Sequence, residues 1–198
     1  MLITKPAILD VLLKNDYAVF DGDNYDLNII GIRSKNSVAG KFDDLIVVVY
    51  KVNGEWFQEC FKCTTDPGVY WLLDKKKKGN KKGTAVLVPG QYRGCWTIDF
   101  HSGRYKALCQ RAGDVKVYRD ANKDNIIDKD KSTIDEGRFG VNIHRAHSKY
   151  ELATVGAYSA GCTVIQRPED FDRFMWLAHQ QIKHNPTYKR FSYTLIEE

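Results

Sequence analysis

A β-hairpin is encoded in Leu45-Ile46-Val47-Val48-Val49-Tyr50-Lys51-Val52-Asn53-Gly54. β-branched and aromatic residues favour extended strands, and they fill most of the first eight positions. Asn-Gly supplies two residues that tolerate the positive φ angles of a two-residue hairpin turn. We therefore predict a strand over 45–52, a turn at 53–54 and a return strand over 55–64.

Short segments of similar composition recur on both sides of this hairpin, separated by Gly, Pro and Asp. Further strands are predicted at 83–88, 96–100, 106–110, 115–118, 140–144, 162–166 and 191–196. Many short strands with turn residues between them are typical of a β-sandwich or a partly closed barrel. The fold class predicted from the sequence is therefore mostly β with a few helices.

Two helices are predicted near the ends of the chain. One covers about residues 6–14, with Pro6 in its first turn. The other follows Pro168-Glu169-Asp170, because proline and acidic side chains favour the positive end of a helix dipole. We assign residues 1–30 to a helical N-terminal extension and 31–198 to the main domain, a size that suits one hydrophobic core.

Composition excludes a membrane-spanning helix, because no run of about 18 apolar residues occurs. The N-terminus lacks the pattern of a signal peptide, so we expect synthesis in the cytoplasm. The net charge of +5 is concentrated in the lysine-rich segment 75–83. This segment is either a solvated loop or a surface that steers the protein toward an anionic polymer. No motif for specific nucleic-acid binding is present.

The chain has five cysteines, so at least one thiol is unpaired. Cys60 and Cys63 have C-x-x-C spacing, but no second pair and no nearby histidine accompany them. We interpret them as strand residues rather than as zinc ligands or a redox pair. The unpaired candidate is Cys162, which follows the small residues Ser159-Ala160-Gly161 and lies 18 positions after His144.

Cys162 and His144 suit acyl transfer through a thioester. A turn of small residues presents a thiol openly, and the backbone N–H groups of Gly161 and Cys162 can face an oxyanion. His144 ends a predicted strand and is a candidate base. Ser159 is interpreted as a turn hydroxyl that orients the base or the substrate. For His101, His179 and His184 no partner is evident in the sequence, and these histidines are interpreted as surface residues.

These segments resemble the catalytic domain of the YkuD-type L,D-transpeptidases. That family has a strand ending in Ile-His, a variable loop, Ser-His-Gly-Cys, a short apolar segment and a Pro/Asp-rich helix start. The matching segments here are Ile143-His144, Ser159-Ala160-Gly161-Cys162, Thr163-Val164-Ile165 and Pro168-Glu169-Asp170. Weaker similarity at 63–66 and 83–92 extends the resemblance to roughly residues 45–196.

The resemblance implies a YkuD-like, mostly β fold that needs no cofactor. It also implies a cysteine that attacks the third residue of a peptidoglycan stem peptide. Cys162 would be the nucleophile, and His144 would be the base in a thiolate–imidazolium pair. An amine or water would then resolve the thioester, so both cross-linking and cleavage remain open.

Two positions depart from the family pattern. Ala160 stands where the family has histidine, and Arg145 stands where it has glycine. Arg145 either clamps a substrate carboxylate or is a solvated side chain. His147 is a candidate substrate contact or a loop residue, and Tyr158 is a candidate for the cleft wall.

An acidic segment follows one predicted strand. Asp120, Asn122, Asp124 and Asp128 occupy positions 1, 3, 5 and 9 of a calcium-binding loop, but position 12 is Lys131. Asp130 or Asp135 would then have to supply the missing ligand. The segment is either a structural Ca²⁺ site or an acidic, turn-rich connection.

Three functional classes follow from these observations. The first is a cysteine enzyme that acts on peptidoglycan stem peptides and reaches the cell wall after lysis or by non-Sec export. The second is a non-catalytic wall-binding or virion structural module with the same fold. The third is a calcium-dependent adhesive domain built around the acidic segment.

Overall fold

The computed structural model describes residues 5–73 and 81–198. Most of the lysine-rich segment, residues 75–80, lies outside the described residues, as do residues 1–4 of the N-terminal extension. The helices of the described part are α1 (Ile8–Lys14), α2 (Val69–Leu72), a short 3-10 helix (Lys131–Thr133) and α3 (Pro168–His184). The strands are β1 (Asn28–Arg33), β2 (Asp44–Val52), β3 (Glu55–Thr64), β4 (Thr84–Leu87), β5 (Gly90–His101), β6 (Tyr105–Gln110), β7 (Val115–Asp120), β8 (Asp135–Gly137), β9 (Ile143–Arg145), β10 (Thr163–Ile165) and β11 (Phe191–Glu197).

Eight of these strands close into a barrel in the order β1-β11-β5-β6-β9-β10-β3-β2. A smaller sheet has the order β4-β7-β8. The prediction of a mostly β protein with a few helices is confirmed, and a barrel is the form it takes. Among the described residues, no helix is long and apolar enough to cross a membrane.

The hairpin predicted at 45–64 is confirmed. β2 and β3 pair antiparallel from Asp44 opposite Cys63 to Val52 opposite Glu55. Asn53 and Gly54 have φ angles of 52° and 79°, the left-handed conformation that a two-residue turn requires. The apolar side chains of β2 alternate between the barrel interior and an outer layer, because successive strand residues point to opposite faces.

Helix α3 packs on the barrel through one apolar face. Phe171, Phe174, Met175 and Ala178 are buried in the main core, as their i, i+3, i+4, i+7 spacing predicts. Pro168 is in the first turn, and Glu169 and Asp170 follow it near the positive end of the helix dipole. This helix covers the barrel beside β9 and β10.

The boundary that we placed between residues 30 and 31 falls inside a strand. β1 begins at Asn28 and pairs with both β2 and β11, so residues 28–30 belong to the barrel. In α1, Leu9 and Leu12 are buried in one apolar cluster with Ile30 and Val47. The helix therefore covers the outside of the β1–β2 pair.

Candidate active site

The two residues that carry the family resemblance lie at neighbouring strands: His144 is in β9, and Cys162 directly precedes β10. β9 and β10 run parallel, with Ile143 opposite Thr163 and His144 opposite Val164. Cys162 lies next to Asn142, whose backbone N–H is 3.4 Å from Cys162 Sγ. The fold therefore places Cys162 beside Asn142, two positions before His144 on the chain, although Cys162 and His144 are 18 positions apart in sequence.

Strand β9 is shorter than the predicted 140–144 and begins at Ile143. The cause is the side chain of Gln110, which is almost fully buried. Its Oε1 accepts hydrogen bonds from the backbone N–H groups of Phe139, Gly140 and Val141 at 2.9–3.1 Å. These amides cannot join the strand ladder, so the segment before His144 is held as a loop against Gln110.

A buried serine fixes the turn before Cys162. Ser159 Oγ donates to Cys162 O at 2.8 Å and accepts from Gly161 N–H at 3.2 Å. Gly161 has a φ angle of 115°, and a Cβ there would lie 2.3 Å from the backbone oxygen of Ala85. Ser159 has the turn-forming role considered from the sequence. The N–H of Gly161 must leave Ser159 Oγ before it can serve as an oxyanion donor.

The Cys162 side chain is half-buried and contacts backbone groups of the preceding loop. Its Sγ accepts from Asn142 N–H at 3.4 Å and donates to Gly140 O at 3.5 Å. Burial raises the pKa of the Cys162 thiol to about 11, because the charged thiolate is desolvated, and the Asn142 N–H only partly offsets this effect. In the free protein Cys162 is therefore a neutral thiol at pH 7.

His144 is 2% exposed and is held by the backbone of the next residue. Its Nδ1 lies 2.9 Å from Arg145 O. A carbonyl oxygen only accepts, so Nδ1 carries the proton and Nε2 keeps its lone pair. Nε2 is buried and has no hydrogen-bond partner among residues 5–73 and 81–198. Burial lowers the pKa of His144 to about 3, with a further contribution from His101, so the imidazole is neutral.

The thiolate–imidazolium pair that the family resemblance implies is not the resting state of this site. Burial raises the pKa of Cys162 and lowers that of His144, so the neutral form of both groups is favoured. Cys162 Sγ is hydrogen-bonded to Gly140 O rather than to His144 Nε2. Apo sites often align their catalytic hydrogen bonds only when substrate binds.

His101 belongs to the site, so its interpretation as a surface residue was wrong. Its ring stacks on that of His144, with 4.0 Å between centroids and 21° between planes. Asn142 Oδ1 accepts from Gln110 N–H, which turns the Asn142 Nδ2 donor toward His101 Nδ1 at 3.0 Å. His101 therefore carries its proton on Nε2. No sequence motif links His101 to His144, because β5 and β9 meet this region only through the folding of the barrel.

A cleft of about 480 Å³ opens beside His144. Its wall includes His101, Arg104, Tyr105, Arg145, His147 and Tyr158. The three residues predicted to contact substrate, Arg145, His147 and Tyr158, are thus gathered around the candidate base. The wall does not include Cys162, whose Sγ faces Gly140 O.

The acidic segment lies away from this cleft, in the connection after β7. Asn122 Nδ2 donates to Asp124 Oδ2 at 3.0 Å and to Asp128 Oδ2 at 2.7 Å. Asp120 Oδ2 accepts from Asp128 N–H, and burial raises the pKa of Asp120. Hydrogen bonds within the segment thus link its side chains.

Neither proposed extra calcium ligand is available to this loop. Asp130 caps the 3-10 helix by accepting from Ser132 N–H at 2.8 Å. Asp135 pairs with Arg119 at 3.1 Å. In the part of the chain that the structure describes, no three His, Cys, Asp or Glu side chains are arranged to hold a metal ion. Calcium binding by the segment stays a prediction.

We expect alkylation of Cys162 by iodoacetamide to be slow at pH 7 and to accelerate about tenfold per pH unit toward pH 11. The reason is that only the thiolate reacts, and its fraction rises tenfold per unit below the pKa. Mapping of adducts by mass spectrometry between pH 6 and 10 measures this, with Cys60 as the exposed reference thiol. Alkylation of Cys162 at pH 7 faster than that of Cys60 would indicate a preformed ion pair instead.

No family model matches this chain, and no curated protein or solved structure matches it either.

Proposed function

We propose that this protein transfers acyl groups through a thioester on Cys162, with His144 as the base and peptidoglycan stem peptides as the acyl donors. The observation that carries the proposal is the buried lone pair of His144 Nε2, which has no partner among the described residues and lies on the strand beside the one that Cys162 precedes. An orphaned buried nitrogen beside a cleft is costly to stability, and it is the arrangement a general base requires.

The proposed reaction begins when substrate enters the cleft and Cys162 Sγ exchanges its contact with Gly140 O for His144 Nε2. Nε2 takes the thiol proton as Sγ attacks the peptide carbonyl and forms a tetrahedral oxyanion. The C–N bond then breaks, and the leaving amine takes the proton from Nε2. An acceptor amine or water next attacks the thioester, loses its proton to Nε2 and expels Sγ, which regains that proton.

Two backbone contacts support the proposed proton transfer from Cys162 to His144. Nδ1–H remains bonded to Arg145 O throughout, so the ring keeps its orientation. The N–H of Asn142 already points at Cys162 Sγ and stabilises charge on sulfur as it develops.

The choice of substrate rests on the family resemblance of residues 143–170 and on the basic character of the cleft wall. The resemblance implies a donor stem peptide, and a cleft with two arginines suits a polymer rich in carboxylates. Both an amine and water are suitable acceptors, so the same intermediate serves cross-linking and cleavage.

We expect the wild-type protein to convert purified peptidoglycan into released or joined muropeptides, and the Cys162→Ala variant to produce none. Mass spectrometry of the digested sacculi identifies the products, and a trapped acyl adduct on Cys162 identifies the nucleophile. Products that persist in Cys162→Ala would contradict the proposal. Binding of wild-type protein to sacculi without any product would favour a non-catalytic wall-binding module instead.

A further inference from the structure

The cleft beside His144 is lined by basic groups. Among the residues that the structure describes, its wall carries Arg104 and Arg145 together with three histidines and includes no Asp or Glu. The cleft therefore has a positive potential, which a substrate with a negative group can satisfy.

Arg145 differs from most arginines of the described residues in having no acidic partner. Arg111, Arg138 and Arg173 each form an ion pair with a carboxylate. None of the ion pairs or hydrogen bonds of the described residues involves the Arg145 guanidinium, although its side chain is half-buried. A partly buried arginine is normally paired, because the desolvated charge is otherwise left uncompensated.

The guanidinium of Arg145 is held in place by aromatic rings. Its Cζ lies 4.2 Å from the centroid of the Tyr105 ring and 5.8 Å from that of Phe171. Stacking on an aromatic face leaves the edge of the guanidinium free, and that edge carries the N–H donors. The planar donors match the two oxygens of a carboxylate.

The backbone links this guanidinium to the candidate base. The carbonyl oxygen of Arg145 accepts from His144 Nδ1 at 2.9 Å and from the Tyr105 hydroxyl at 3.3 Å. Tyr105 thus contacts Arg145 through both its hydroxyl and its ring. A carboxylate bound by Arg145 would therefore have a defined position relative to His144 Nε2.

We propose that Arg145 binds a carboxylate of the acyl donor and makes this protein selective for anionic peptides. The inference deepens the proposed acyl transfer and rests on it for the identity of the donor. Loss of the carboxylate or of the arginine would each remove a charge-assisted hydrogen-bonded pair. We expect either change to weaken donor binding by about tenfold to hundredfold.

The test uses the stem tetrapeptide and forms of it in which one carboxylate at a time is amidated. Dissociation constants are measured by calorimetry in the Cys162→Ala background, so that no turnover intervenes. We expect one amidated form to bind about tenfold or more weakly than the parent peptide. In Arg145→Gln, that form and the parent peptide should bind equally, and Arg145→Lys should recover only part of the difference.

Arg138→Gln is the matched control, because it removes the same charge from an exposed arginine outside the cleft wall. The inference would be overturned if Arg145→Gln still preferred the peptide with the free carboxylate as strongly as the parent protein does. It would also be overturned if Arg138→Gln lost this preference to the same extent as Arg145→Gln. Turnover by the wild-type protein without any preference among the peptides would overturn it too, and the proposed acyl transfer would stand. Arg145-dependent binding without turnover would retain the inference and refute the proposed acyl transfer.

Discussion

Replacement of His144 by glutamine is expected to lower acyl-transfer turnover by about a hundredfold to ten-thousandfold. Glutamine fills a similar space, but it cannot take a proton from the Cys162 thiol. The thiol pKa of about 11 makes this loss severe, because little thiolate forms at pH 7 without a base. Product formation from peptidoglycan, measured at pH 7 by mass spectrometry, checks the prediction.

His147→Gln provides the matched control. His147 lines the same cleft, but its Nδ1 accepts from the N–H groups of Lys149 and Tyr150 at 3.2 Å and serves a local turn. We expect this variant to keep turnover within about threefold of wild type, as for other substitutions away from reacting atoms. A folded but inactive His147→Gln protein would exchange the roles of the two histidines.

The same His144→Gln variant tests whether the buried histidine is neutral, because a neutral and an ionised His144 give different pH dependences of the free energy of unfolding. The pKa of His144 is lowered from 6.5 to about 3, so the unfolded chain binds a proton across this window and the folded chain does not. Stability therefore falls as the pH decreases from 6.5, by up to about 1.4 kcal/mol per pH unit. Burial also lowers the pKa of His101, which adds to this slope.

Urea unfolding at pH 7, 5.5 and 4.5 measures the slope. We expect His144→Gln to be less steep than wild type by about 1 kcal/mol per pH unit, with the residual slope arising from His101 and other groups. Equal slopes in the two proteins would mean that His144 is charged in the folded state, contrary to the burial observed here.

Features set by local chemistry could be predicted from the sequence. The turn at Asn53-Gly54 needs two residues that tolerate positive φ, and few dipeptides do so as readily. Helix α3 could be predicted from its proline, its acidic first turn and its apolar spacing. The pairing of β9, which carries His144, with β10, which Cys162 directly precedes, agrees with the motif that pointed to both residues.

Features set by the closure of the barrel could not be predicted. Arg33 is fully buried, and its Nε lies 3.0 Å from Asp66 Oδ1, but no local pattern marks a residue of β1 as charged and internal. The stacking of His101 on His144 joins β5 to β9 across a distance of 43 positions in the chain. The neutral state of the Cys162 thiol depends on how closely the surrounding loops exclude water, which is also a property of the assembled fold.

Gly161→Ala is expected to destabilise the protein by about 3 kcal/mol or more and to disrupt the turn that presents Cys162. The φ angle of 115° is unfavourable for alanine, and the added Cβ would lie 2.3 Å from Ala85 O. Ala85 is paired with Arg119 in the β4–β7 ladder, so its backbone cannot move away without breaking that pairing. Thermal unfolding measures the loss, which corresponds to about 6–12 °C for a chain of this length.

Gly54→Ala separates the two causes of this destabilisation. Gly54 has a φ angle of 79°, but a Cβ there would meet no atom within 4 Å. Gly54→Ala is therefore expected to destabilise the protein only through backbone strain, by about 1 kcal/mol. If Gly161→Ala lowers the melting temperature no more than Gly54→Ala does, the contact with Ala85 is not a rigid constraint. The expected larger loss, together with accelerated alkylation of Cys162 at pH 7, would show that the close approach of Gly161 to β4 keeps the thiol half-buried and protonated.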